Sequence, residues 1–137
     1  GRLQVLRRNP LVVVDGAHNA DSAMRLAKAL REYFRFEDAF LVIGASRGKD
    51  IAGMVDQLAP VFKKVIITQS SNPRAASVST LAAEFLKRGV SVTAADTVAS
   101  AIAVALRETK PGDLVCATGS LFVVAEAIEH TNKFIQL

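Results

Sequence analysis

The chain has 137 residues, half of them hydrophobic and 22% charged, which excludes a disordered polymer and predicts one domain, residues 1–137. Seventeen Lys and Arg against thirteen Asp and Glu leave a formal charge of +4, spread along the polar faces of predicted helices. Without aromatic residues interleaved to stack bases, that charge does not predict a nucleic-acid partner. No apolar run nears the roughly 18 residues of a membrane span, and no signal-peptide pattern opens the sequence. Cys116 stands alone, so no disulfide framework exists; a cytoplasmic protein with no membrane partner is expected.

Leu3–Leu6 reads as a strand turned back by Asn9-Pro10, suited to an antiparallel edge. Leu11-Val12-Val13-Val14 is apolar on both faces, as a buried parallel strand requires. Asp15-Gly16-Ala17-His18-Asn19 follows, and an amphipathic segment opens at Ala20, with Ala23, Leu26, Ala27, Leu30 and Phe34 at helical spacing. Further strand-length runs are Ala39–Ile43, Val65–Thr68, Ser91–Ala95 and Leu114–Ala117. Helical spacing recurs in Ile51, Met54, Val55 and Leu58, ended by Pro60, and in Val78, Leu81, Ala82 and Phe85. It recurs again in Val98, Ala101, Ile102 and Ala105, capped by Asp96 or Thr97, and in Leu121, Val124, Ala125 and Ile128. Five strand–helix pairs with short connections predict an α/β fold: a Rossmann-like, doubly wound, mostly parallel sheet of five to six strands flanked by helices.

Ligands of such sheets sit at the carboxyl ends of the strands, where helix N-termini offer free N–H groups to anions. Asp15 and His18 fall there. The carboxylate can cap the helix or accept from ribose hydroxyls, and the imidazole can donate to an anion or carry a proton. Gly44-Ala45-Ser46-Arg47-Gly48-Lys49-Asp50 is not a P-loop: three residues separate its glycines instead of four, and Asp50 stands where Ser or Thr is needed. Asp50 is better read as a helix cap. Thr118-Gly119-Ser120 opens the last helix, where Ser120 either caps it or holds a ligand carboxylate. Cys116 reads as a small core residue, and His130 as a cation complementing the end of the last helix.

Gly1-Arg2, Asp15-Gly16-Ala17-His18-Asn19, Asn72-Pro73-Arg74-Ala75 and Ala117-Thr118-Gly119-Ser120-Leu121-Phe122-Val123-Val124 occur in this order. Together they resemble the C-terminal domain of folylpolyglutamate synthase and bifunctional dihydrofolate synthase, of the Mur ligase superfamily. Ala20 stands where that family usually has proline. Proline there only pre-sets the first helical turn, so the change should cost little.

The resemblance implies the C-terminal domain of a larger ligase whose central P-loop domain is absent from this chain, with Gly1-Arg2 at the domain's start. The implied reaction adds L-glutamate to a folate or dihydropteroate carboxylate through an acyl phosphate. It uses ATP and Mg2+, both held mainly by the central domain. No metal ligand is expected in this chain, and the domain alone is expected to be inactive. By resemblance, Arg2 and His18 are the catalytic pair. Asp15, Arg2 and Asn19 would contact the nucleotide, and Ser120 and His18 the glutamate. Lys49, Asp50 and Arg74 are weaker candidates, chosen because they share the same sheet edge. Two rivals stand beside this reading: a peptidoglycan-precursor Mur ligase domain and a non-catalytic α/β module that binds a small molecule. A phosphoacceptor receiver would need an aspartate where Ile67-Thr68-Gln69 ends its strand.

Overall fold

The structure, a computed structural model, describes residues 3–48 and 50–135, with side chains as far as Thr131. In chain order the elements are β1 (Gln4–Arg7), β2 (Leu11–Val14), α1 (Ala20–Tyr33), β3 (Ala39–Ile43) and α2 (Ile51–Leu58). A single 3₁₀ turn, Ala59–Val61, places Pro60 just past α2. There follow β4 (Lys64–Ile67), α3 (Val78–Lys87), β5 (Ser91–Ala94), α4 (Val98–Glu108), β6 (Leu114–Thr118) and α5 (Leu121–Ile135). The sheet runs β1-β2-β6-β3-β4-β5. β1 is antiparallel to β2, with Val5 opposite Val13, and every other pairing is parallel. The expected doubly wound architecture and its antiparallel edge are both present.

Alternate strand side chains point to opposite faces, so the parallel strands feed two cores. Val13, Leu41, Ile43, Val65, Ile67 and Cys116 pack with Leu26 and Leu30 of α1, Met54 and Leu58 of α2, and Leu81 and Phe85 of α3. Val12, Val14, Phe40, Val42, Ile66 and Ala117 pack with Ala101, Ile102 and Ala105 of α4 and Val123 and Ala127 of α5. Each fully buried aliphatic side chain contributes roughly 1.5–3 kcal/mol relative to exposure. Handedness explains the division of helices. The chain steps from β2 through β3 and β4 to β5 in one direction and must cross on one face. Returning from β5 to β6, it crosses on the other. β6 therefore lies between β2 and β3, its helix leaving to the opposite side from theirs, and the loops after these three strands emerge side by side at one edge of the sheet.

Beyond one-residue shifts at the ends of β1, β5 and β6, three details differ from the sequence expectation. β4 starts at Lys64 and stops at Ile67, leaving Thr68 to bond Ile43 O through its N–H at 3.0 Å, outside the strand. The last helix is turned relative to its apolar spacing: Val123, Ala127 and Thr131 face the sheet, while Leu121 is 70% exposed. Two apolar stripes run along this helix, and helical periodicity alone does not choose between them; packing against the sheet does. Third, His130 is not in the final turn, because α5 continues to Ile135.

Cys116 is fully buried between β2 and β3, and burial, reinforced by the nearby Asp15 charge, pushes its thiol well above the ordinary range. A disulfide reagent added to native protein should therefore label no thiol within hours, and one thiol per chain after unfolding in urea. Rapid native labelling would contradict this packing.

Candidate functional site

Asp15 follows the last residue of β2, and its main chain is pinned from β6 before its side chain does anything. Its N–H donates to Ala117 O at 3.2 Å, and its carbonyl accepts the Thr118 hydroxyl at 2.6 Å. The Ala17 carbonyl accepts from Gly119 N–H at 3.1 Å, tying the β2–α1 loop to the turn that starts α5. On the far side of β6, Gly44 N–H donates to Thr118 O at 3.3 Å, so the β3–α2 loop leans on the same residue. Glycine is required at both contact points. A Cβ on Gly44 would lie 2.8 Å from Thr68 O, and one on Gly119 would overlap the Gly44 carbonyl oxygen.

On this floor Asp15 is 8% exposed, and its carboxylate accepts the Ala17 N–H at 2.9 Å, closing a turn. Burial raises its pKa, and the Ala17 hydrogen bond only partly offsets that. The carboxylate lines a cleft of about 240 Å³ with Leu3, Ser22, Arg25, Leu26 and Ala29. His18 is exposed. Its Nδ1 lies 3.0 Å from Gly16 O, and since a carbonyl only accepts, Nδ1 carries the proton and leaves Nε2 without it. Asn19 caps α1 in a reciprocal box: its Oδ1 accepts from Ser22 N–H at 2.8 Å, while Asn19 N–H donates to Ser22 Oγ at 3.1 Å. That occupies the oxygen of Asn19 and leaves its NH₂ group for a ligand. Ser120 is 7% exposed and also caps, accepting from Val123 N–H at 3.2 Å. Its hydroxyl proton is not used by that bond.

The weaker candidates occupy a neighbouring pair of loops. Asp50 caps α2, accepting from Gly53 N–H at 3.0 Å, as its place before Ile51 predicts. Arg47 N–H donates to Arg74 O at 2.7 Å, and Ala76 N–H to Ala45 O at 2.7 Å, so the loops after β3 and β4 form a short antiparallel ribbon. Asn72 builds the turn that presents Arg74, its Oδ1 accepting from Arg74 N–H at 2.8 Å. Arg47, Gly48 and Arg74 line a hollow of about 360 Å³. β3 is two strands from β2, so this cationic hollow begins roughly 10 Å across the edge from the Asp15 loop. Arg2 and Lys49 lie outside the described residues. A third hollow at the same edge, walled by Ser71, Asp96, Glu126 and His130, is acidic. Ser71 closes it through its N–H and hydroxyl on Glu126 Oε1, at 2.9 and 2.7 Å.

Residues 1–121 match the family described as Mur ligase, glutamate ligase domain. The chain belongs to that family. A probable bifunctional folylpolyglutamate synthase/dihydropteroate synthase of Haloferax volcanii is 38% identical over 128 residues, covering 93% of this chain and 15% of that protein. The Mycobacterium tuberculosis folylpolyglutamate synthase complexed with ADP superposes with a TM-score of 0.90 at 31% identity, over 96% of this chain and 32% of that one. A bifunctional folylpolyglutamate synthase/dihydrofolate synthase with Mn, AMPPNP and L-glutamate bound superposes at 0.84 with 29% identity, over all of this chain and 32% of that one. The glutamate ligase domain described here thus spans about a third of the solved ligases it resembles, and less of the Haloferax protein.

Two features of this domain had weak signals in the sequence. Thr118 reads as part of a cap motif, yet its hydroxyl reaches back to the Asp15 loop. A polar residue ending an otherwise apolar buried strand is the available clue. Arg47 stands in the sequence only as part of the Gly44–Asp50 stretch, and its pairing with Arg74 depends on a ribbon between two loops distant in the chain.

Proposed function

We propose that this chain is the C-terminal, glutamate-ligase domain of a cytoplasmic ATP-dependent ligase that adds L-glutamate to a folate or dihydropteroate carboxylate. The observation that carries the reading is the loop Asp15–Asn19, fastened to the end of β6 and to the turn that starts α5, so that a buried carboxylate and an exposed imidazole stand on one short loop at the carboxyl end of β2. Relatives named as folylpolyglutamate or dihydrofolate synthases, one solved with AMPPNP and L-glutamate, support that choice over a peptidoglycan ligase or a non-catalytic module.

A carboxylate is a poor electrophile, so the folate carboxylate first attacks the γ-phosphorus of ATP and expels ADP. The glutamate amine then attacks the acyl phosphate, losing a proton as inorganic phosphate leaves. This domain's residues bind and orient. Asp15 accepts from ribose hydroxyls, its low exposure making each such bond stronger than it would be in water. His18 donates from Nε2, when protonated, to developing negative charge on phosphate or to a glutamate carboxylate. The N-termini of α1 and α5 add oriented N–H dipoles, the Ser120 hydroxyl donates to glutamate, and the Asn19 NH₂ group is available to the nucleotide. Arg2 completes the cationic set in this reading, with Lys49, Asp50 and Arg74 bordering it. In this reading Mg2+, held by the central P-loop domain, would neutralise charge on the phosphates. Closing the two domains shields the acyl phosphate from water.

The test is ADP release by the full-length parent protein with ATP, magnesium, glutamate and either dihydropteroate or a reduced folate. Release that requires both glutamate and a pterin is expected, and the preferred pterin assigns the branch. The 137-residue chain alone should release none. Pterin-independent release, or none from the parent with either pterin, overturns the reading.

A further inference from the structure

We propose that Thr118 is a positioning residue, whose hydroxyl sets the orientation of His18 through the backbone of the loop between them. Thr118 ends β6, is completely buried, and sits one step past the β2–β6 ladder, which stops where Val14 meets Ala117. Having no partner on β2, it reaches the loop beyond with its side chain. Its Oγ1 donates to Asp15 O at 2.6 Å and lies 3.4 Å from Ala17 O, whose nearer donor is Gly119 N–H at 3.1 Å. Both carbonyls flanking Gly16 are thereby held, and it is the Gly16 carbonyl that takes the His18 Nδ1 proton at 3.0 Å. The same short stretch carries the Asp15–Ala17 turn, at 2.9 Å.

No other hydrogen bond in the described structure reaches Asp15 O, so without the hydroxyl a buried carbonyl is orphaned and the peptide must shift to find a donor. Glycine at position 16 puts little resistance in the way of that shift. Meanwhile the Thr118 carbonyl accepts from Gly44 N–H, so the residue's main chain serves one loop and its side chain another. Shape is not the point of the residue. Valine would fill the same volume and supply no donor. The catalytic meaning of the arrangement rests on the ligase reading above; the geometry does not.

The experiment compares wild type, Thr118→Val and Thr118→Ser by long-range ¹⁵N–¹H NMR of the imidazoles in this chain. His130, on the outer part of α5, serves as internal control. In wild type and Thr118→Ser, His18 should hold its proton on Nδ1; in Thr118→Val it should pass to a mixture of tautomers while His130 is unchanged. Should Thr118→Val perturb His130 as well, Thr118→Ala removes the hydroxyl without the added methyl and decides in its place. In the parent ligase, kcat/KM for glutamate-dependent ADP release should fall about tenfold in Thr118→Val and recover in Thr118→Ser. An unchanged His18 tautomer in the valine and alanine variants overturns the proposal, as does an equal change in the serine variant. A parent that releases no ADP overturns the ligase reading instead, and the imidazole spectra still decide the role of Thr118.

Discussion

Gly119→Ala is expected to destabilise the domain by about 3 kcal/mol or more, read as a lower urea midpoint with an unchanged slope. Two effects add. Gly119 has φ +114°, a region that L-residues with a side chain rarely occupy. Its missing Cβ is also the space filled by the Gly44 carbonyl, with Ile43 Cγ1 only 3.0 Å away. Neither neighbour yields easily. Gly44 is itself tied to Thr118 O through its N–H, and Ile43 is fully buried in the core. Relief requires the α5 start to lift from the β3–α2 loop, which breaks the Gly119 N–H bond to Ala17 O and loosens the Asp15 loop. Gly48→Ala is the control: it also has positive φ, at 79°, but nothing lies within 4 Å of its added Cβ. It should cost roughly 1 kcal/mol from backbone strain alone. Equal losses in the two variants would mean that strain, and not the close approach of two loops, governs Gly119.

Asp15→Asn should separate stability from function. Asparagine keeps an oxygen to accept the Ala17 N–H, so the turn survives, but it removes a carboxylate that burial disfavours. The sign follows from linkage. Because the folded pKa lies above the unfolded one, the folded state holds the proton longer, and stability falls as pH rises from the ordinary aspartate range through that raised value. Asp15→Asn abolishes this loss, so at neutral pH the variant should unfold at an equal or higher urea concentration than wild type. At low pH, where Asp15 is protonated in both states, the two should converge. In the parent ligase the same change should raise KM for ATP by about 10- to 100-fold, the worth of one or two hydrogen bonds to a charged group. A variant that is less stable at neutral pH than wild type would mean that the Asp15 charge, and not merely its oxygen, supports the loop. Unaltered KM would remove Asp15 from the nucleotide site.

The fold was largely legible because its signals are local. A parallel strand buried on both faces must be continuously apolar, as Leu11–Val14 and Ala39–Ile43 are, and each amphipathic helix repeats its buried residues every three or four positions. Caps are equally local: Asp50, Thr97 and Ser120 each bond a backbone N–H three residues ahead. The edge carrying the candidate site was legible too, since strand–helix order determines where the loops emerge. The rotation of α5 was not. Leu121, Val124, Ala125 and Ile128 are as well spaced as Val123, Ala127 and Thr131, and helical periodicity is blind to which stripe meets the sheet.

From the order of its residues alone, then, this chain determined a doubly wound α/β domain with Asp15, His18 and Ser120 on one edge of the sheet. These features depend on contacts a few residues apart, where backbone geometry and side-chain chemistry suffice. Only the tertiary structure decided that Thr118 would hold Asp15 across 103 residues, that Gly119 would lie against Gly44, and that Arg47 would pair with Arg74. Each of those contacts is set by the register of β6 between β2 and β3 or by the meeting of two loops. Register is fixed by the packing of both cores together, a property that no short stretch of sequence carries.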